Sequence, residues 1–346
     1  MDKLWYQEPG EGSDVTAACR IRLFRNRADL KFPWKLTAEE CGHATDEMLQ
    51  ALSEKVPELS DAGAFRMEQM EEEKLRTLYE KAILHKGSLQ HPDGAGILIS
   101  RDESISVTIN SEDHIRMQVS HTGREFRKVW SIINALDDAI NQIYPYAFDD
   151  VLGYRTAYPT NVGTGMKAYA VLHLPQLAES AGFSELPGEI GRYGVSIRPA
   201  FGTAREESGD LFVLFNQKTL GISELDIIQI LDNVIGRLTE REKKLRQEAA
   251  GRHRLQMQDV CCKAYGTLRY AQLMSQKTAM QLLSHLWWGT AEGLVAFRTE
   301  PDFYRMMMEI QPGTLQEMAG RRLEGVDCDR ERALYLRKRL PELTEE

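Results

Sequence analysis

The sequence predicts an α+β protein, with an antiparallel sheet flanked by helices over residues 1–250 and an all-helical domain over residues 251–346. Three patterns carry this expectation. Apolar residues alternate between Ile97 and Val119, helical spacing brackets that stretch, and almost everything beyond Gly251 keeps the helical period. A chain of 346 residues also exceeds what one compact core usually organises, so two domains are expected.

Thr37-Ala38-Glu39-Glu40 has capping-box spacing and opens a helix through Met48, Leu49 and Leu52. A second helix is expected from Met67 to Leu84. After the turn-rich His91-Pro92-Asp93-Gly94-Ala95-Gly96, the alternation of Ile97, Ile99, Ile105, Val107, Ile109, Ile115, Met117 and Val119 reads as an antiparallel meander. Phe126, Val129, Trp130, Ile133, Leu136 and Ile140 space a helix from about Arg124 to Tyr144, stopped before Pro145. Further strands are expected from Tyr169 to Leu174, Gly194 to Arg198 and Asp210 to Phe215. Ser223 then caps a long amphipathic helix running from Glu224 to about Ala249.

Hydrophobic residues at 42% and charged residues at 27% are ordinary for a folded globular chain, and no stretch approaches the roughly 20 apolar residues a membrane span needs. The opening Met1-Asp2-Lys3-Leu4-Trp5-Tyr6 lacks the charged-then-apolar order of an export signal, so a cytoplasmic location is expected. The five cysteines (Cys19, Cys41, Cys261, Cys262, Cys328) form no CxxC pair and read as reduced structural thiols, with no metal site. A net charge of -9 argues against direct nucleic-acid binding while leaving room for local arginine clusters that hold an anion.

Four segments carry the candidate chemistry. Arg20-Ile21-Arg22 puts two guanidinium groups on one face of an extended segment, where both can fork onto the same phosphates; a solvated basic strand is the plainer reading. In Asn110-Ser111-Glu112-Asp113-His114-Ile115-Arg116, a strand would set Glu112, His114 and Arg116 on one face. A carboxylate held ionised by cationic neighbours can orient or deprotonate a substrate cation, and equally belongs in a surface salt-bridge ladder. Tyr158 to Gly165 is a turn-rich loop whose glycines permit close backbone approach, though it lacks the Gly-Lys-Ser/Thr ending of a Walker loop. Arg198 leads through Phe201-Gly202-Thr203-Ala204-Arg205 into a polar loop.

Taken in order, these segments resemble the phosphagen (guanidino) kinase family, in particular the bacterial protein arginine kinases. Cys19-Arg20-Ile21-Arg22-Leu23-Phe24-Arg25-Asn26 is similar to that family's Ser-Arg-Ile-Arg segment, and Asn110 to Arg116 to its Asn-Glu-Glu-Asp-His-Leu-Arg signature. Gly153-Tyr154 through Pro175 and Asn216-Gln217-Lys218-Thr219-Leu220-Gly221 also fit, with Pro159-Thr160-Asn161-Val162-Gly163-Thr164-Gly165 the most specific stretch. Cys328-Asp329-Arg330-Glu331-Arg332-Ala333 resembles a phosphoarginine-binding motif, in which Asp329 would hold a guanidinium and Arg332 a phosphate, with Cys328 in place of its first arginine.

The resemblance implies a phosphagen-kinase-like catalytic domain, ATP with Mg2+, and protein substrates with exposed arginine. It further implies a zinc-binding activator protein, the Clp protease machinery and a second copy of the chain as partners, in a stress-response setting. By the same resemblance Arg20, Arg22, Arg116 and Arg198 clamp the ATP phosphates and Glu112 orients the substrate guanidinium. Three positions depart from the pattern: Tyr158 stands for a cysteine, Lys167 for a clamp arginine, and Thr203 for a second carboxylate. Lys167 keeps the charge without the bidentate fork. Three readings follow: an active protein arginine kinase of reduced rate, a nucleotide-binding pseudokinase acting as adaptor or phosphoarginine reader, and a small-guanidine kinase, which the helical tail disfavours.

Overall fold

The computed structural model describes residues 3–8, 10, 14–90 and 92–344; Met1, Asp2 and His91, which entered the sequence reading, lie outside this set. The strands in chain order are β1 Thr16–Arg25, β2 Gly63–Arg66, β3 Gly96–Ile99, β4 Ile105–Ile109, β5 Ile115–Thr122, β6 Phe148–Asp149, β7 Gly153–Tyr154, β8 Met166–His173, β9 Val195–Pro199 and β10 Leu211–Asn216. Apart from the short β6–β7 pair they form one sheet in the order β2-β3-β4-β5-β1-β8-β10-β9, with every pairing antiparallel.

Period two divides this sheet chemically. Cys19, Ile21 and Leu23 of β1, Ile115, Met117 and Val119 of β5, and Ala168, Ala170 and Leu172 of β8 are buried in the main core. Against them pack Met48 and Leu52 of the Ala38–Lys55 helix, Val129, Ile133 and Ile140 of the Phe126–Ile143 helix, and Leu231, Ile235 and Leu238 of the Glu224–Arg252 helix. Each such side chain contributes about 1.5–3 kcal/mol by leaving water. The Thr37 capping box forms both of its bonds, and Ser223 accepts from Asp226 N–H as its position predicts.

The opposite face is split along its length. Ala18, Val171, Leu211 and Val213 meet Leu283, Trp287 and Met280 of the C-terminal helices in a second core, while the other end carries arginines and amides. The helical tail begins at Arg254, after a break at His253 that follows the long helix. No helix among the described residues is long and apolar enough to cross a membrane.

The helix expected from Met67 to Leu84 is broken. A 3-10 turn at Met67–Gln69 precedes a helix Glu72–Glu80, and a short helix follows at Lys86–Gln90. Ala82 takes a left-handed backbone with φ 57°, and Ile83 N–H reaches back to Leu78 O at 2.9 Å, which closes the helix end. The apolar spacing of Leu75, Leu78 and Ile83 is real but continues through a turn, because all three enter a small separate core with Ile97 and Ile99.

Candidate active site

Strand register brings the sequence-distant cations to one face. In the β1–β5 ladder Arg22 lies opposite Gln118 and Phe24 opposite Arg116, while in the β1–β8 ladder Arg20 lies opposite Tyr169 and Arg22 opposite Lys167. Directly opposed residues in an antiparallel pair share a face. Continuing across Val171, Val213 and Arg198 places the last cation on that face as well. Arg20, Arg22, Arg116, Lys167 and Arg198 therefore all leave the sheet on the side away from the main core.

Their side chains are held by neutral acceptors. Arg22 donates from Nε to Gln118 Oε1 at 2.5 Å and from Nη2 to Ala82 O at 2.5 Å, and Arg20 Nη1 donates to the same carbonyl at 3.4 Å. Both guanidinium groups lie over the Tyr169 ring, 5.4 and 5.1 Å from its centre. Arg116 is buried, donates from Nη2 to Ile83 O at 2.5 Å and Thr108 Oγ1 at 3.1 Å, and leaves Nε and Nη1 without a partner among the described residues. Burial, and then the neighbouring Arg22, push Arg116 down to about 9 and Arg20 to about 10. A guanidinium does not give up its proton at neutral pH, so the relief available to this cluster is an anion.

Lys167 and Arg198 are placed differently. Lys167 Nζ donates to Asn216 O at 3.2 Å and Gln217 O at 2.9 Å, which turns the ammonium toward the end of β10, and burial lowers its pKa. Arg198 is exposed on the edge strand β9, donating to Pro199 O at 3.1 Å.

Glu112, His114 and Arg116 do not share a strand face. Asn110 adopts φ 50°, the chain turns through Ser111–Asp113, and β5 begins only at Ile115. His114 points into the protein, where its Nδ1 accepts from Arg27 N–H at 3.2 Å and burial pushes it down to about 4. The turn is fastened by Asp113, whose Oδ1 accepts from Asn26 Nδ2 and from Ala157 N–H, both at 2.6 Å. That bond ties the Glu112 turn to the Tyr158 loop. Burial raises Asp113 to about 6.

Glu112 sits at the rim with a fifth of its side chain exposed, its Oε2 accepting from Ser111 Oγ at 3.1 Å and its Oε1 paired with His85 Nε2. Burial raises its pKa, yet the bonds from His85 and Ser111 outweigh this and leave it below the usual carboxylate range. His85 is in turn held by Ser88 Oγ at 2.5 Å from Nδ1. A Cβ at Gly87 would collide with Glu112 Oε1, so a side chain at position 87 would displace the Glu112 carboxylate from its place beside this segment.

Tyr158 is half exposed and lines the same cleft as Glu112; burial, then the Glu112 and Asp113 carboxylates, raise its pKa. Thr203 is exposed in a loop where its N–H donates to Glu207 Oε2 at 2.9 Å; among the described residues no hydrogen bond joins it to Glu112. Asp329 and Arg332 lie far along the chain in the Val326–Arg339 helix and pair with each other at 2.7 Å. Arg332 is buried and directs its other bonded donors to Met274 O, Ile310 O and Cys328 Sγ, so in this conformation most of its guanidinium is committed to internal partners. No group of three or more His, Cys, Asp or Glu among the described residues is placed to hold a metal.

Residues 43–245 match the ATP:guanido phosphotransferase C-terminal catalytic domain, and residues 254–346 match the protein-arginine kinase McsB C-terminal domain. Protein-arginine kinase of Symbiobacterium thermophilum is 33% identical over 342 residues, 97% of this chain and 96% of that protein. Protein-arginine kinase of Bacillus subtilis is 32% identical over 337 residues, with 97% and 93% covered. The chain belongs to the protein-arginine kinase branch of the ATP:guanido phosphotransferase family. The fold is shared more widely. Lombricine kinase superposes with a TM-score of 0.59 at 23% identity over 70% of both chains, and Schistosoma mansoni taurocyamine kinase with 0.62 at 23% over 75% of this chain and 40% of that one.

Sequence reasoning missed His85, Gln118, Tyr169 and the Ala82–Ile83 carbonyls. Gln118 was reachable, since it follows Arg116 by two residues on one strand face. His85 was not, because it follows directly on a stretch whose pattern read as helix and its approach to Glu112 is purely tertiary.

Proposed function

We propose that this chain transfers the γ-phosphoryl group of ATP to arginine side chains of proteins. Arg20, Arg22, Arg116 and Arg198, with Lys167 at the margin, surround the nucleotide phosphates; Glu112 receives the guanidinium, and Tyr158 and Thr203 flank it. One observation carries the reading: Arg116 is buried with two donor nitrogens unpartnered among the described residues, inside a row of cations, an arrangement an anion completes. A bond forms between a guanidinium nitrogen and the γ-phosphorus as the β–γ bridging P–O bond breaks, ADP leaves, and the nitrogen gives up a proton for which Glu112 is the placed acceptor. Phosphoryl transfer asks mainly for positioning and charge neutralisation, which the sheet face and the rim turn supply; Mg2+ on the phosphates adds to the second.

Several finer readings belong to the same proposal. They are a boundary near residue 250 between a catalytic and a helical domain, phosphoarginine at Asp329 once the guanidinium displaces Arg332, and a cytoplasmic homodimer working with a zinc-binding activator and Clp proteases. The two family matches, which meet near residue 250, support the boundary, and the family resemblance of the sequence supports the rest.

Glu112→Gln tests the core of the reading. Phosphoarginine formation on an arginine-rich protein should fall at least about 100-fold, the usual worth of a positioned base, while the rise in melting temperature under Mg-ATP persists. Equal activity in variant and wild type removes Glu112 from the mechanism. Mg-ATP stabilisation without any transfer in the wild type supports the pseudokinase reading instead.

A further inference from the structure

Beside Glu112 lies a cleft of about 370 Å3 whose walls include Pro33, Trp34, Asp93, Glu112, Ala157 and Tyr158. Its two aromatic rings are unusual for their exposure. Trp34 is 67% exposed and Tyr158 51%, although large aromatics normally bury most of their surface. Each is set by an adjoining proline that opens a 3-10 turn, Pro33 before Trp34 and Pro159 after Tyr158, so little backbone freedom remains to be lost when the rings take a ligand. They come from loops more than a hundred residues apart in sequence, and the Asp113 bond to Ala157 N–H fixes one of those loops to the Glu112 turn.

We infer that Trp34 and Tyr158 form an aromatic clamp for the stem and guanidinium of an arginine in an extended polypeptide, making them the specificity determinants of the substrate side. The inference rests on the kinase reading for its substrate class and goes beyond it in assigning Trp34 and in giving Tyr158 a positive role. The chemistry of the walls commits the cleft to this occupant. Glu112 supplies a carboxylate at one end, and Asp93 adds a second acidic residue to the lining. Flat aromatic faces take a planar cation better than a neutral chain. The Trp34 ring already attracts a cation, the Lys35 ammonium, whose Nζ lies 4.7 Å from the ring centre and which an incoming guanidinium would displace. Tyr158, in the field of Glu112 and Asp113, stays a neutral phenol that can stack and donate a hydrogen bond.

The test is direct binding of a fluorescein-labelled nonapeptide with one central arginine, alongside the same peptide carrying citrulline, which keeps the shape and loses the charge. Wild-type protein should bind the arginine peptide, Trp34→Ala should bind it about tenfold more weakly, and Trp34→Phe should recover to within about threefold; ATP affinity should not move. The citrulline peptide should bind at least about tenfold more weakly than its arginine counterpart. Equal affinity of wild type and Trp34→Ala, equal binding of citrulline and arginine, or no binding by the wild type would each overturn the clamp. A phosphoarginine assay on the same proteins separates the two readings. Transfer by the wild type with Trp34-independent binding leaves the kinase and removes the clamp, whereas Trp34-dependent binding without transfer does the reverse.

Discussion

Arg116 shows how a single side chain carries both a structural cost and a functional use. A buried guanidinium with two unpaired donor nitrogens is destabilising until an anion arrives, and the same removal from water makes each contact to that anion stronger. Replacing it with methionine, of similar length and no charge, should leave the ligand-free protein at least as stable in urea as wild type. The same variant should lose most of the Mg-ATP shift in melting temperature, which in the wild type corresponds to about 2.7 kcal/mol at a hundredfold excess over Kd. A retained shift would show that the phosphates bind elsewhere. His85 makes the complementary point on the substrate side. Its imidazole pairs with Glu112, the carboxylate proposed to take a guanidinium, so an incoming arginine must displace it. His85→Ala should lower KM for a protein substrate about three- to tenfold with KM for ATP unchanged; a rise in KM would mean instead that His85 holds Glu112 in its working position.

At the scale of elements, the site is a sheet face with one turn and one folded segment laid upon it. The sheet is rigid because its far face is packed against three helices, and the arginines inherit that rigidity from strand register. The segment Lys81–Gln90 has no such ladder. It is held by the Ala82 and Ile83 carbonyls on the arginines and by His85 on Glu112, with Gly87 permitting the approach. Gly87→Val should therefore push the segment off the Glu112 turn and lower kcat/KM for arginine transfer at least about tenfold, while far-ultraviolet circular dichroism stays that of the wild type. An unchanged kcat/KM would separate this segment from the chemistry. The β strands were largely legible from alternation, because one face is apolar. The break at Ala82 was not, since the apolar spacing ran on through it and only the arginines opposite give the turn its purpose.

Across the whole molecule, a buried polar chain joins the helical tail to the sheet. Arg246 donates to His173 Nδ1 at 3.2 Å, His173 Nε2 faces Ser284 Oγ at 2.8 Å, Ser284 donates to Asp210 Oδ2 at 2.7 Å, and Asp210 Oδ1 accepts from Arg205 Nε at 2.5 Å. The partners assign the tautomer, with the proton of His173 on Nε2. Its ring also stacks on Trp287, 4.3 Å away. Burial, then Arg246, holds His173 well below its ordinary pKa. The unfolded chain therefore takes up a proton at this residue below about pH 6.5 that the folded chain refuses, so stability is complete above that pH and declines as pH falls. Asp113 and Asp302, pushed up to about 6, act with the opposite sign, so the histidine contribution is read as a difference between proteins. Between pH 6.5 and 5, His173→Gln should lose stability less steeply than wild type, by up to about 1.4 kcal/mol per pH unit in urea unfolding. Parallel curves would show that His173 accepts its proton within the fold.

By itself the sequence determined the alternating strands, the capped helices, the helical tail and the arginine and glutamate positions of the candidate site, because periodicity, caps and short motifs are local properties of the chain. It could say that Arg20 and Arg22 share a face; it could not say that Arg116 and Arg198 share it too, since strand order and register are set by which apolar faces bury together. Only the tertiary structure decided that Glu112 stands on a turn rather than a strand, that His85 reaches it, that Arg332 is spent on internal partners, and that Trp34 borders the same cleft as Tyr158. Those are contacts between segments distant in sequence, fixed by how the packed elements place their loops, and no local pattern encodes them.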